Sequence, residues 1–320
     1  MLSHIMKKLL FLLMPIVSFS QVNLDSIQVF FKYKEFKKAE IQISNYLKVN
    51  PNDLSAIELL GDAYGHQKKW DDAKEAYNKL VVAKPNIANY HYKYGGVLGM
   101  KALENKLKAI TLIGDIKEAF TKAAELDTSH IETRWALVEF YIQLPGIFGG
   151  SKNKALKYAK ELEGLSKVDG YLAIGYIYEY DDEPKLAEKY YKMAIQEGGS
   201  LTCFNKLTAL YETDNQPVKA IENIEKAKEK HQRNALHYQI GKVAAEYNIE
   251  LEKGEKCLLL YLENYSAEDG VPIAWAHYRL AQIYKYKKNK VLALKHIDVA
   301  IIQLPKVKPF KKEKEAILLL

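Results

Sequence analysis

The chain repeats itself at an interval of 33 or 34 residues. Pro51 and Pro85 stand 34 positions apart, as do Gly61 and Gly95, while Tyr178 and Tyr211, Ala187 and Ala220, and Ala194 and Ala227 each stand 33 apart. A period of this length means that one pair of helices is copied along the chain, each copy burying its apolar face only against its neighbours. Composition agrees with a folded chain: 48% of residues are hydrophobic and 27% charged, ordinary values for a globular protein.

The clearest copy is LSAIELLGDAYGHQKKWDDAKEAYNKLVVAKP, residues 54 to 85. Ile57, Leu60, Gly61 and Tyr64 recur at three- and four-residue steps, and Ala73, Tyr77 and Leu80 do the same in the second half, so each half reads as an amphipathic helix. HQKKWDD supplies the turn, and Pro85 ends the second helix because it lacks an N–H and constrains the residue before it. Gly61 and Ala73 are small where the helices approach; Tyr64 and Tyr77 fill the space between hairpins. Further copies carry Ile174, Gly175, Tyr178, Ala187, Tyr191 and Ala194; Leu207, Tyr211, Ala220, Ile224 and Ala227; and Leu280, Ala281, Tyr284, Ala293, Ile297, Ala300 and Pro305. Weaker ones at about 22 to 51, 88 to 128, 131 to 167 and 234 to 266 bring the expected number to eight hairpins. KPFKKEKEAILLL then reads as a capping helix over the last apolar face.

These residues and their spacing resemble the tetratricopeptide repeat over nearly all of the chain. The resemblance implies an all-α fold, a right-handed superhelical solenoid of about eight hairpins, with the array at residues 21 to 305 and the cap at 306 to 320. It also implies a concave surface lined by the first helix of each hairpin. By register that lining holds Glu58, Asp62, Tyr92, Glu132, Trp135, Glu139, Tyr176, Glu179, Tyr180, Tyr238, Trp275, Tyr278 and Tyr286, an aromatic and acidic groove in a Lys-rich exterior. Such a groove suits an extended protein or peptide partner, basic or aromatic in character, with Trp135 as the central anchor. The competing reading of these aromatics is packing between neighbouring helices. The Lys and Asn pattern with which some members of the family clamp a C-terminal carboxylate is absent.

Two turns are longer than the rest. Tyr141 and Ala155 stand 14 apart where Tyr64 and Ala73 stand 9 apart, so PGIFGG is a five-residue insertion. In the third hairpin about nine extra residues keep helical spacing through Leu103, Leu107 and Ile110 until Gly114, where a break is expected. PGIFGGS fails as a P-loop, since the residue five after Gly146 is Ser151 and no strand precedes it. Ser151 is suited to cap the next helix. Ile147 and Phe148 are expected to pack on Leu103, Leu107 and Ile110 as a rim. The alternative is an anion site at the backbone N–H groups of Gly149, Gly150 and Ser151. The turn looks like one found in exported bacterial tetratricopeptide proteins, which implies kinship but no activity.

MKKLLFLLMPIVSFSQ, from Met6, has the basic start, short apolar segment and small residues of a secretory signal, giving an expected leader at residues 1 to 20 and a mature start at Gln21. Net charge is +7, nearly all from Lys, because Arg134, Arg233 and Arg279 are the only arginines; nucleic acid is therefore not an expected partner. Peripheral membrane association is compatible with the sequence. Cys203 and Cys257 fall at core-like helical spacing and read as buried thiols, with a disulfide between them as the alternative in an oxidising compartment. No HExxH, paired CxxC, nucleophile elbow or dinucleotide motif is present, and His66, His91, His237, His277 and His296 are scattered, so neither a metal, a cofactor nor an enzymatic role is expected. Asp71, Asp72, Asp181 and Asp182 read as helix caps in turns. The expected function is a non-enzymatic binding scaffold of the bacterial cell envelope; the alternative is a periplasmic carrier enclosing a small ligand under the rim formed by the two insertions.

Overall fold

A pair of helices joined by a tight turn recurs throughout the computed structural model, which describes residues 24 to 320. The leader expected at residues 1 to 20 and the cut before Gln21 lie outside the described residues. Two compact units divide between Ala136 and Leu137. The first contains three hairpins: α1 (Leu24–Lys32) with α2 (Phe36–Val49), α3 (Leu54–His66) with α4 (Trp70–Ala83), and α5 (Ala88–Glu104) with α6 (Lys106–Leu126). Helix α7 (Ile131–Gln143) carries the division, and α8 (Lys152–Leu165) follows it. Next come α9 (Lys167–Tyr180) with α10 (Pro184–Glu197), α11 (Leu201–Thr213) with α12 (Pro217–His231), α13 (Asn234–Tyr247) with α14 (Leu251–Glu263), α15 (Ile273–Tyr286) with α16 (Lys290–Gln303), and finally α17 (Lys308–Leu318). No strand occurs among the described residues. Within each unit helices pack on their neighbours in sequence, the arrangement of an all-α solenoid.

The recurring small residues act as seats for recurring aromatics. A Cβ on Gly61 of α3 would stand 2.5 Å from the Tyr77 ring, and one on Gly175 of α9 would stand 2.6 Å from the Tyr191 ring. Tyr77 and Tyr191 are thus inserted against the partner helix of their own hairpins, and Tyr77 also packs with Val97 of the next hairpin, as its place in the repeat implied. Ala73, Ala155, Ala187, Ala220 and Ala293 are fully or almost fully buried where second helices meet first ones. Helix starts are capped by side chains at Asp53, Ser151, Ser166 and Ser200. The Ser151 cap is the expected one. Asp71 and Asp72 instead sit inside the first turn of α4, whose cap position is Lys69, where negative charge meets the positive end of the helix. Asp181 follows α9 and binds Lys152.

Within hairpins the turn repeats too. Lys34, Lys68, Asp182, Asn215 and Lys288 all adopt φ between 52° and 59°, so the chain reverses through one left-handed residue per turn. The third hairpin departs from expectation. Gly114 does not interrupt the chain; α6 runs through it, and the break falls at Asn105, which is extended. One glycine costs a helix interior roughly 1 kcal/mol, too little to end a helix of 21 residues packed along α5. The insertion therefore lengthens both helices. At the other end, Phe310 and Ile317 of α17 are fully buried against α15 and α16, so the last helix caps the array. Cys203 and Cys257 are buried thiols on α11 and α14.

Candidate functional site

In the first unit the expected acidic lining is neutralised. Lys93 of α5 reaches back to α3, its Nζ lying 2.7 Å from Glu58 Oε1 and 2.7 Å from Asp62 Oδ1. Asn89 donates to Glu58 at 2.8 Å and the Tyr77 hydroxyl donates to Asp62 at 2.7 Å. Burial works against the Lys93 ammonium, but the hydrogen bonds and charges of Asp62 and Glu58 outweigh it and hold its pKa above the usual value. Tyr92 is half-buried, its ring 5.2 Å from His130 and 6.3 Å from Phe120. Glu132 is exposed and 3.5 Å from His130. Trp135 is half-buried on α7.

The same closure continues in the C-terminal part of the second unit. Lys242 of α13 binds Glu212 of α11 at 3.0 Å, Arg279 of α15 binds Glu246 of α13, and Lys285 of α15 binds Glu313 of α17 at 2.6 Å. Tyr238 is 8% exposed and packs 5.4 Å from the Tyr261 ring, so it belongs to the core and not to a groove. Trp275 and Tyr278 each place their rings 4.9 Å from Phe310 of the capping helix. Tyr238, Trp275 and Tyr278 thus each pack against a neighbouring helix, with Trp275 and Tyr278 left half-buried. Tyr286 lies under Lys285 at 5.1 Å.

One stretch of the first-helix face stays open, across α7, α9 and α11. Gln143 donates from Nε2 to the Tyr176 hydroxyl at 2.7 Å, and the Tyr180 hydroxyl lies 3.5 Å from the Gln143 carbonyl. The Tyr176 and Tyr180 rings are 6.3 Å apart, and the Lys206 ammonium stands 5.4 Å from the Tyr176 ring centre. Tyr180 is 53% exposed. Glu139 lies one turn before Gln143 and is also exposed, yet the surrounding protein displaces part of its hydration. That desolvation lifts its carboxyl above the ordinary value, with Lys206 acting in the opposite sense. Glu179, by contrast, accepts a hydrogen bond from the Tyr191 hydroxyl. Register reading found Glu139, Tyr176 and Tyr180 but missed Gln143 and Lys206. The signal for Gln143 was its 33-residue separation from Tyr176, one repeat.

The PGIFGGS turn is closed on itself. Gly149 N–H donates to Gly146 O at 3.0 Å, Gly150 N–H to Pro145 O at 3.2 Å and Ser151 N–H to Tyr141 O at 2.8 Å. The free N–H groups on which an anion site at Gly149, Gly150 and Ser151 depended are therefore already used within the chain. Gly149 takes φ 95°, and a Cβ on Gly150 would fall 1.7 Å from Leu144 O, so this turn needs both glycines. Ile147 is 88% exposed, and Leu103 and Ile110 are exposed as well. The burial expected of a packed rim is not found at these side chains. A cavity of about 330 Å³ does open beneath the lengthened third hairpin, against the turn of the second. Lys68, Trp70, Asp72, Lys101, Glu104 and Leu112 help to line it.

No family model matches the chain, and no curated protein does. Among solved structures it is similar to a tetratricopeptide repeat protein from Parabacteroides merdae ATCC 43184, with 14% identity, 81% of this chain and 96% of that one covered, and a TM-score of 0.50. It is also similar to YrrB, described as a TPR protein with an unusual peptide-binding site, with 22% identity, 62% of this chain and 98% of that one covered, and a TM-score of 0.43. A third is pilF of Pseudomonas aeruginosa, with 13% identity, coverage of 72% and 99%, and a TM-score of 0.43.

Proposed function

We propose that this chain, which has the fold of the tetratricopeptide repeat proteins, is a non-enzymatic scaffold that holds an extended polypeptide against the first-helix face of α7, α9 and α11. The observation that carries the reading is the contrast along that face. Elsewhere acids and aromatics are taken up by Lys93, Lys242, Arg279 and Phe310, whereas Tyr176, Tyr180, Gln143 and Glu139 present rings, an amide and a carboxylate to solvent. Exposed Tyr next to adaptable polar groups is the composition of a binding surface. A carrier role has the cavity beside Trp70 in its favour, but two of the lysines around it are already paired: Lys69 with Glu40, and Lys101 with Asp71.

Export to the cell envelope is part of the proposal and rests on the Met6 to Ser20 leader pattern. Intact mass of protein from the envelope fraction is expected to start at Gln21. For binding, the Tyr176→Ala, Tyr180→Ala double variant and the wild type are used as bait against envelope extract. Partners retained by wild type are expected to be lost from the variant while its melting temperature stays within a few degrees. An unchanged set of partners removes this face from the proposal.

A further inference from the structure

On the reading that α7, α9 and α11 form a docking face, we propose that the open patch selects a basic side chain, arginine above lysine, in the polypeptide that lies across it. Glu139 is the reason. Among the described residues it makes no hydrogen bond or ion pair, while Glu58, Asp62, Glu179, Glu212 and Glu246 are each held by a neighbouring helix. A carboxylate that has lost part of its hydration and has only the charge of Lys206, without a hydrogen bond, in return is under-compensated in the free protein. A cation brought by a ligand relieves that cost and gains a charge-assisted hydrogen bond.

The rings on the next helix suit the same guest. Lys206 already stands over the Tyr176 ring at 5.4 Å, which shows that this face accepts a cation; Tyr180, 6.3 Å away and 53% exposed, has no cation over it among the described residues. A guanidinium is flat, stacks on an aromatic face and meets a carboxylate with two parallel N–H groups, so arginine uses both Glu139 and Tyr180 where an ammonium uses them less fully. An acidic guest meets Lys206 but also Glu139, whose repulsion it cannot avoid. The Gln143 side chain, one turn after Glu139, is bonded to the Tyr176 hydroxyl at 2.7 Å and so ties α7 to α9 at this patch.

The test uses the mature chain immobilised on resin and three pools of acetylated, amidated nonapeptides. Their flanks are random and their central residue is arginine, citrulline or glutamate. Citrulline keeps the shape of arginine without its charge. The arginine pool is expected to be retained about tenfold better than citrulline, the worth of one charge-assisted contact, and glutamate least. Glu139→Gln is expected to erase the arginine preference and to leave the melting temperature equal or slightly higher, since the amide removes an under-compensated charge and Glu139 holds no neighbour. Equal retention of arginine and citrulline by wild type, or a preference that survives Glu139→Gln, overturns the proposal. If the pools are retained equally and the Tyr176→Ala, Tyr180→Ala variant releases all of them, the docking face stands and only the basic selectivity falls. Retention of no pool at all overturns both.

Discussion

Gly61 sits against the ring of Tyr77 so closely that a Cβ on Gly61 would lie 2.5 Å from Cε1 and 2.9 Å from Cδ1. Tyr77 is 7% exposed and its hydroxyl is tied to Asp62 at 2.7 Å, so the ring has nowhere to retreat. Gly61→Ala improves helix propensity by roughly 1 kcal/mol but overpacks the hairpin by about 1 to 3 kcal/mol. The second effect is expected to win. Urea unfolding of Gly61→Ala is predicted to show a net loss of up to about 2 kcal/mol, largely restored by pairing it with Tyr77→Leu. A stabilised single variant refutes the close fit.

Histidines 277 and 296 face each other with their Nδ1 atoms 2.9 Å apart, so one donates and the other, unprotonated at that nitrogen, accepts. Burial, then the neighbour His277, then Lys295 press the His296 pKa down to about 4; Glu255 pulls the other way but is already bound to Lys287 at 2.6 Å and to the Tyr284 hydroxyl at 2.8 Å. Burial and Lys295 lower His277 as well. A base whose folded pKa is depressed binds more protons when unfolded, so its stabilisation is complete above the unfolded value of roughly 6.5 and is lost as pH falls toward about 4. The loss for His296 is on the order of 3 kcal/mol. Subtracting the stability-against-pH curve of His296→Gln from that of wild type isolates it from carboxylate titrations. A flat difference between pH 7 and 4.5 counts against the buried pair.

The hairpins and the Ser151 cap were legible because spacing alone encodes them: a glycine, an aromatic or a capping hydroxyl at a fixed step has one structural meaning. Charge on the first-helix face was not. Glu58 and Asp62 were placed correctly, but Lys93 pairs with Asp62 across 31 residues, Lys242 with Glu212 across 30 and Arg279 with Glu246 across 33. Those partners come from the next repeat, and long flexible side chains leave no periodic trace of where their tips go. Tyr238 misled for a related reason. Its register matches the open positions, but α13 and α15 approach closely enough to bury it. Gly114 was read by propensity, which tertiary packing along α5 overrode.

Lys288 reverses the chain between α15 and α16 at φ 58°, with its N–H donated to Lys285 O at 3.0 Å. A side chain in the left-handed region costs about 1 to 2 kcal/mol, and glycine escapes that cost while giving up some conformational entropy. Lys288 is exposed, so its side chain contributes little packing. Lys288→Gly is predicted to raise stability by about 0.5 to 1 kcal/mol, read from the urea midpoint at constant slope. Destabilisation shows that the ammonium matters more than the backbone at this turn.

Lys93 ties α5 to α3 through two carboxylates, and its side chain is 21% exposed against 24% for Glu58 and 27% for Asp62. Exposed pairs are worth little: Lys38 with Glu35, at 63% and 39% exposure, is expected to contribute at most about 0.5 kcal/mol. The Lys93 site is more enclosed, and removing the ammonium leaves two carboxylates facing each other with only Asn89 and Tyr77 to satisfy them. Lys93→Met keeps the length of the stem and deletes the charge. A loss of about 1 to 3 kcal/mol is predicted, narrowing in 0.5 M salt because added ions screen carboxylate repulsion. Lys38→Met serves as the exposed control. Should the two substitutions cost the same, the bridge between α3 and α5 is an ordinary surface pair, and cohesion of these hairpins rests on the apolar cluster that includes Tyr77, Leu80 and Val97.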